Sequence, residues 1–150
     1  INGKDCTFRD LFDIITIICL ALSVAQERYG FVHYDLYPWN IIIKKVPKQK
    51  IVYRIGHRFF ILETDIIPII IDYGRTHVIY DNKHYGTIEQ FKTKVYQDCF
   101  SLIISTIHCF LNSKDENGNK RYVDDKIKSI IIKIINFYGI NDRNYILELS

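Results

Sequence analysis

Three polar side chains, His33, Asp35 and Asn40, stand in the stretch FVHYDLYPWNIII, between aromatic residues and a run of isoleucine. A carboxylate in such apolar company is costly unless it is paired, bound to a metal or used in chemistry. A second carboxylate, Asp72, closes another apolar run, IIPIII, and is followed by Tyr73 and Gly74. Pairing, metal binding and catalysis are the explanations these two stretches leave open.

The elements that must position them can be read from periodicity. Phe8, Leu11, Phe12, Ile15, Ile18, Cys19, Leu22 and Ala25 follow helical spacing, with Thr7 as N-cap and Gly30 as stop. Ile41 to Ile43 reads as a short strand ended by Pro47. The runs IVYRI and FFILE read as a hairpin joined by Gly56, His57 and Arg58. Ile66 to Ile71 reads as a further strand, which Pro68 places at a sheet edge or a strand start. Residues 75–94 look irregular, with a turn at Gly86. Two more helices are expected, Val95 to Leu111 and Asp124 to Tyr138, the latter with an isoleucine stripe and Gly139 as its stop. The order is that of an α+β domain with a small sheet.

The two polar stretches together resemble the protein kinases. His33, Asp35 and Asn40 stand as H-x-D-x-x-x-x-N, an apolar strand follows, and a second strand ends in Asp72-Tyr73-Gly74, the order of the kinase catalytic and metal-binding loops. The resemblance implies that Asp35 orients the acceptor hydroxyl and takes its proton. It implies that Asn40 and Asp72 hold magnesium against the nucleotide phosphates, and that His33 braces the loop. Phe8 to Tyr29 looks like the helix before the catalytic loop. YQDCFSL resembles the D-x-W-S-L start of the helix that anchors the lobe, which would have Asp98 hydrogen-bond the catalytic-loop backbone; a helix N-terminal acid complementing the dipole is the alternative. By the same resemblance Tyr73 and Gly74 would complete the metal loop, and Tyr37 and Trp39 would be the residues adjacent to substrate. The match covers roughly Phe8 to Leu111. With its HYDLYPWN loop and IIIDYG run the chain resembles kinase-like proteins of large DNA viruses.

The fold so implied is a protein kinase-like C-terminal lobe, mainly helical with short β-hairpins. Residues 1–150 would be a fragment with an inserted hairpin at about 44–66, its nucleotide-covering N-lobe expected upstream. ATP and magnesium are the implied cofactors, and a protein or small-molecule hydroxyl is the acceptor, with serine/threonine-type favoured over tyrosine-type. An isolated lobe, with its cleft face open, is expected to be poorly soluble.

Several positions depart from the kinase pattern. Tyr37 stands where protein kinases carry lysine, and small-molecule kinases of the aminoglycoside and choline type often differ there. Tyr34 replaces the arginine that reads activation-loop phosphorylation, so activity independent of phosphate on Thr87 or Thr93 is expected. No A-P-E follows Gly74. A small-molecule kinase, or a pseudokinase-type interaction module without catalysis, are the alternatives.

The remaining features lean structural. The net charge of +3 is mild and does not argue for nucleic acid. Cys6, Cys19, Cys99 and Cys109 form no C-x-x-C pair, which fits a reducing intracellular compartment. No apolar stretch reaches the roughly 18 residues of a membrane span. The 44–66 segment carries Lys44, Lys45, Lys48, Lys50, Arg54 and Arg58 beside Tyr53, Phe59 and Phe60. It reads as a lysine-protected edge hairpin whose aromatics pack inward, or as one that steers an acidic or phosphate-bearing partner. His77, His84 and His108 lack a carboxylate or cysteine partner. Trp39 is expected to pack the loop onto the helices, with stacking on a substrate ring as the alternative.

Overall fold

A computed structural model describes residues 8–87, 96–112, 114, 118–119 and 125–137. Thr7, Cys6, Thr93, Val95, Asp124, Tyr138 and Gly139 lie outside the described residues. The elements are helices α1 (Phe8–Tyr29), α2 (Gln97–Leu111) and α3 (Asp125–Phe137), and strands β1 (Ile41–Ile55), β2 (Arg58–Ile70), β3 (His77–Tyr80) and β4 (Lys83–Gly86). Among the described residues they make an α+β arrangement of three helices and two antiparallel hairpins. None of the described helices is long and apolar enough to cross a membrane.

The chain divides into two compact units, Ile1–Ile103 and Ile104–Ser150. In the first, Ile14, Ile18 and Leu22 of α1 form one buried stripe with Leu36, Cys99 and Leu102, and Ile41, Ile43, Ile66 and Ile70 pack against it. Ile18 and Leu22 of the expected stripe are buried together with Ile14 and Ile17 beside it, whereas Phe12 of that stripe is exposed. A helix apolar on nearly every side does not declare its inner face, and the partners choose it. Gly30, at φ +52°, ends α1 with its N–H donating to Gln26 O at 2.9 Å, a left-handed cap. In the second unit Thr106, Ile107 and Ile131 are buried, whereas Cys109 is exposed.

The expected short strands merge into one long hairpin. Ile41 to Lys45 pairs with Ile70 to Ile66, and Gln49 to Ile55 with Thr64 to Arg58. Pro47 does not end β1. It sits in the register break between Lys45 and Gln49, where its missing N–H costs no ladder bond. Pro68 is opposite Ile43. Because Ile71 N–H donates to Asn40 O at 3.0 Å, bond alternation puts Pro68 in a non-hydrogen-bonded pair, facing the open edge. The turn is Gly56-His57 alone, with glycine at φ +56° in the first central position as a type II′ turn requires. The hairpin lies on α1, and its tip is tied there by Gly56 N–H donating to both oxygens of Glu27 at 3.1 and 3.3 Å.

The segment after Gly74 is also more regular than expected. His77–Tyr80 and Lys83–Gly86 pair around Asp81-Asn82, both at positive φ, the signature of a type I′ hairpin turn. Two short β-prone runs around an Asp-Asn pair were the signal for it.

Candidate functional site

The loop from Phe31 to Asn40 is held from four directions. From α2, the buried Asp98 accepts the His33 N–H on Oδ2 at 2.7 Å and the Tyr34 N–H on Oδ1 at 3.0 Å. Burial pushes this carboxyl above its ordinary value, and the two N–H bonds and the neighbouring His33 oppose that rise. From the strand side, Val32 and His77 exchange backbone bonds of 3.0 and 2.8 Å. Beneath the loop, Leu36 is fully buried among the α1 and α2 side chains. At its end Pro38–Asn40 forms one 3-10 turn that delivers the chain into β1.

His33 is the internal brace. Its Nε2 lies 3.1 Å from Ile71 O, and its Nδ1 accepts the Asp35 N–H at 3.3 Å. A carbonyl can only accept, so this network fixes the Nε2–H tautomer. Asn40, also buried, donates from Nδ2 to Asp35 O at 2.8 Å. Both backbone groups of Asp35 are therefore held by side chains five residues apart or closer, while its half-buried carboxylate has no hydrogen bond or ion pair among the described residues.

Asp72 arrives beside this loop through the hairpin. Its predecessor Ile71 is bonded to Asn40 O and to His33. Asp72 itself is exposed, without a partner for its carboxylate among the described residues, and takes left-handed φ 62°, ψ 67°. For a residue with a Cβ that conformation stores about 1–3 kcal/mol and occurs where surrounding structure enforces it. Tyr34, at φ 65°, shares the feature. Tyr73 lies over the loop, its ring 5.5 Å from that of His33 and 6.5 Å from Phe31, with its hydroxyl donating to Ile70 O at 2.8 Å. A Cβ on Gly74 would stand 3.4 Å from Asp72 Oδ1, at van der Waals contact with that carboxylate.

Trp39 does not pack the loop onto the helices. It is 65% exposed and stacks on Tyr37 with ring centroids 4.7 Å apart. The Ile71 carbonyl and the Val32–His77 bridge could not be read from residue types, because both act through backbone. His77 does have a partner: buried, it stacks on His84 across the β3–β4 hairpin with Nε2 3.0 Å from His84 Nδ1.

Among the described residues no three or more His, Cys, Asp or Glu come together as a metal cluster. Magnesium needs less: one or two protein oxygens, with phosphates and waters completing its shell. With Nδ2 committed to Asp35 O, the carbonyl oxygen of Asn40 is the amide atom left to accept, and Asp72 offers a free carboxylate. That donor set fits a hard cation.

No protein-family model matches the chain. It is 38% identical over 114 residues to "Uncharacterized protein 035R" of Invertebrate iridescent virus 3, covering 70% of this chain and 10% of that protein. It is 31% identical over 159 residues to "Uncharacterized protein 179R" of Invertebrate iridescent virus 6, covering 92% of this chain and 13% of that protein. The chain thus spans about a tenth of the length of these two relatives. A shorter match, 33% identity over 86 residues, covers 57% of this chain and 16% of "Probable kinase 098L" of Invertebrate iridescent virus 3. The chain is distantly similar to iridovirus proteins, and one of them bears a kinase name.

Proposed function

We propose that the chain carries the phosphoryl-transfer centre of an ATP- and magnesium-dependent phosphotransferase with a protein kinase-like C-lobe. The observation that carries this reading is the clamp on Asp35, which fixes its backbone through His33 and Asn40 and leaves its carboxylate free. A general base needs that combination of fixed position and available lone pairs. Asp35 orients the acceptor hydroxyl and takes its proton; Asn40 Oδ1 and Asp72 hold magnesium, which when bound neutralises phosphate charge. Ile42 and Ile69, an exposed cross-strand pair next to Asn40 and Asp72, offer the nucleobase an apolar surface. The similarity to a protein named as a probable kinase supports the reading.

The test is phosphate transfer from labelled ATP by the native polypeptide carrying this sequence. Asp35→Asn is expected to lower turnover by about 100-fold or more while sparing nucleotide binding. Asp72→Asn is expected to weaken magnesium-dependent nucleotide binding as well. Equal loss of binding and turnover in Asp35→Asn would make that residue structural, and an unchanged rate in Asp72→Asn would remove the metal assignment. Tyr37 is stacked on Trp39 and supplies no cation beside Asp35, which favours a small-molecule acceptor as a second reading. Label confined to soluble metabolites supports it, and label in protein bands excludes it.

A further inference from the structure

The far half of the β1–β2 hairpin presents a face that the candidate site does not use. Pairing sets Lys50, Val52 and Arg54 opposite Glu63, Ile61 and Phe59. These alternate with the half-buried Ile51, Tyr53, Ile55 and Leu62 of the inner face. Val52, Ile61 and Phe59 are 57%, 64% and 66% exposed, so Phe59 does not pack inward as a solvated edge hairpin would have it. Val52 and Ile61 are directly opposed and Phe59 is two residues from Ile61, which makes the three one contiguous patch. Lys50 and Arg54 flank it with no ion pair among the described residues, and Lys48 reaches Glu63 at 3.5 Å. Residues 41–70 hold six lysines and arginines against two acids, more net positive charge than the whole chain's +3.

The inner face of this two-stranded sheet is already covered by a helix, α1. Two strands about 5 Å apart, with their side chains, offer roughly the width of one helix. We propose that the bare outer face docks an acidic amphipathic helix of a protein partner, its apolar stripe on Val52, Phe59 and Ile61 and its carboxylates beside Lys50 and Arg54. The mode is helix on apolar surface, with charge setting partner choice. A nucleic acid would use the cations, but valine and isoleucine give a base no π-face and a single phenyl ring is no stacking platform. The patch stands roughly 30 Å along the strands from Asn40, which separates it from the phosphoryl-transfer centre.

The test is fluorescence anisotropy of the whole chain with a labelled peptide of about 18 residues, leucine at helical i, i+3, i+4, i+7 spacing and glutamate elsewhere. Its scrambled isomer and its lysine counterpart are the controls. The acidic helix is expected to bind, and Phe59→Ser and Arg54→Glu are each expected to weaken it at least tenfold, with Lys83→Glu on β4 leaving it unchanged. Circular dichroism and thermal unfolding verify that the variants fold, with Lys50→Glu replacing Arg54→Glu if the latter does not. Absence of binding at about 100 μM, equal binding of the scrambled or lysine peptides, or indifference to both substitutions overturns the proposal. So does preferential displacement of the peptide by oligothymidine, which would mark a nucleic-acid surface.

Discussion

At the scale of single residues, the loop is held by three buried polar side chains, Asp98, His33 and Asn40, each bonded to backbone. Asp98 answers two backbone donors from one carboxylate. Asp98→Ala would leave both N–H groups without an acceptor and is expected to cost about 2–4 kcal/mol in urea unfolding, with Asp98→Asn costing less. His77 gives a pH dependence. Burial first, and the neighbouring His84 second, hold it below the ordinary histidine value of 6.5. A depressed value means the unfolded chain binds the proton better, so the stability it contributes is complete above about pH 6.5 and falls as pH drops through the depressed value. The melting temperature of the wild type is expected to fall between about pH 7 and pH 5 by more than that of His77→Gln. The roles expected of His33, Asp35, Asn40, Asp72 and Asp98 come from the resemblance of their motifs to those of protein kinases, since the apolar runs around them say only that such polar groups need a partner or a use. The pairing of His77 with His84 could not be read from sequence, since it depends on a hairpin that places residues seven apart face to face.

At the scale of elements, two glycines at positive φ separate conformational cost from crowding. Gly56 has φ +56° with open space around a Cβ, whereas at Gly86, φ +87°, a Cβ would fall 1.9 Å from Thr76 O. Gly56→Ala is expected to cost about 1 kcal/mol. Gly86→Ala is expected to cost several times more and to open the β3–β4 hairpin, as thermal unfolding and hydrogen exchange of Val78 and Tyr85 would show. The helices were legible from their apolar spacing to within a residue or two over the described span. The strands were harder. Pro47 and Pro68 are both signals of interruption, yet one falls in a register break and the other on an open edge, so the long hairpin passes both. Only partner geometry decides whether a strand proline interrupts anything.

At the scale of the whole molecule, charge and apolar exposure gather on the same hairpin. Phe59→Ser with Ile61→Thr is expected to raise solubility in precipitation assays while leaving the melting temperature nearly unchanged, because exposed side chains contribute little to folding. The open cleft expected from sequence is thus joined by a second exposed apolar surface, legible only once the strand pairing fixed which aromatic faces outward. The register break has a wider consequence. Lys45 to Gln49 spans four steps while Ile66 to Thr64 spans two, so β1 carries two extra residues and both halves keep the same side toward α1. The five pairs from Ile41–Ile70 to Lys45–Ile66 close the ladder next to Asn40 and Asp72 by themselves. Everything beyond them can lengthen, shorten or be exchanged by even steps without moving Asn40 and Asp72. The hairpin is therefore a natural graft point, where a lineage or an engineer could change the outer surface while leaving the Asn40–Asp72 end of the ladder intact.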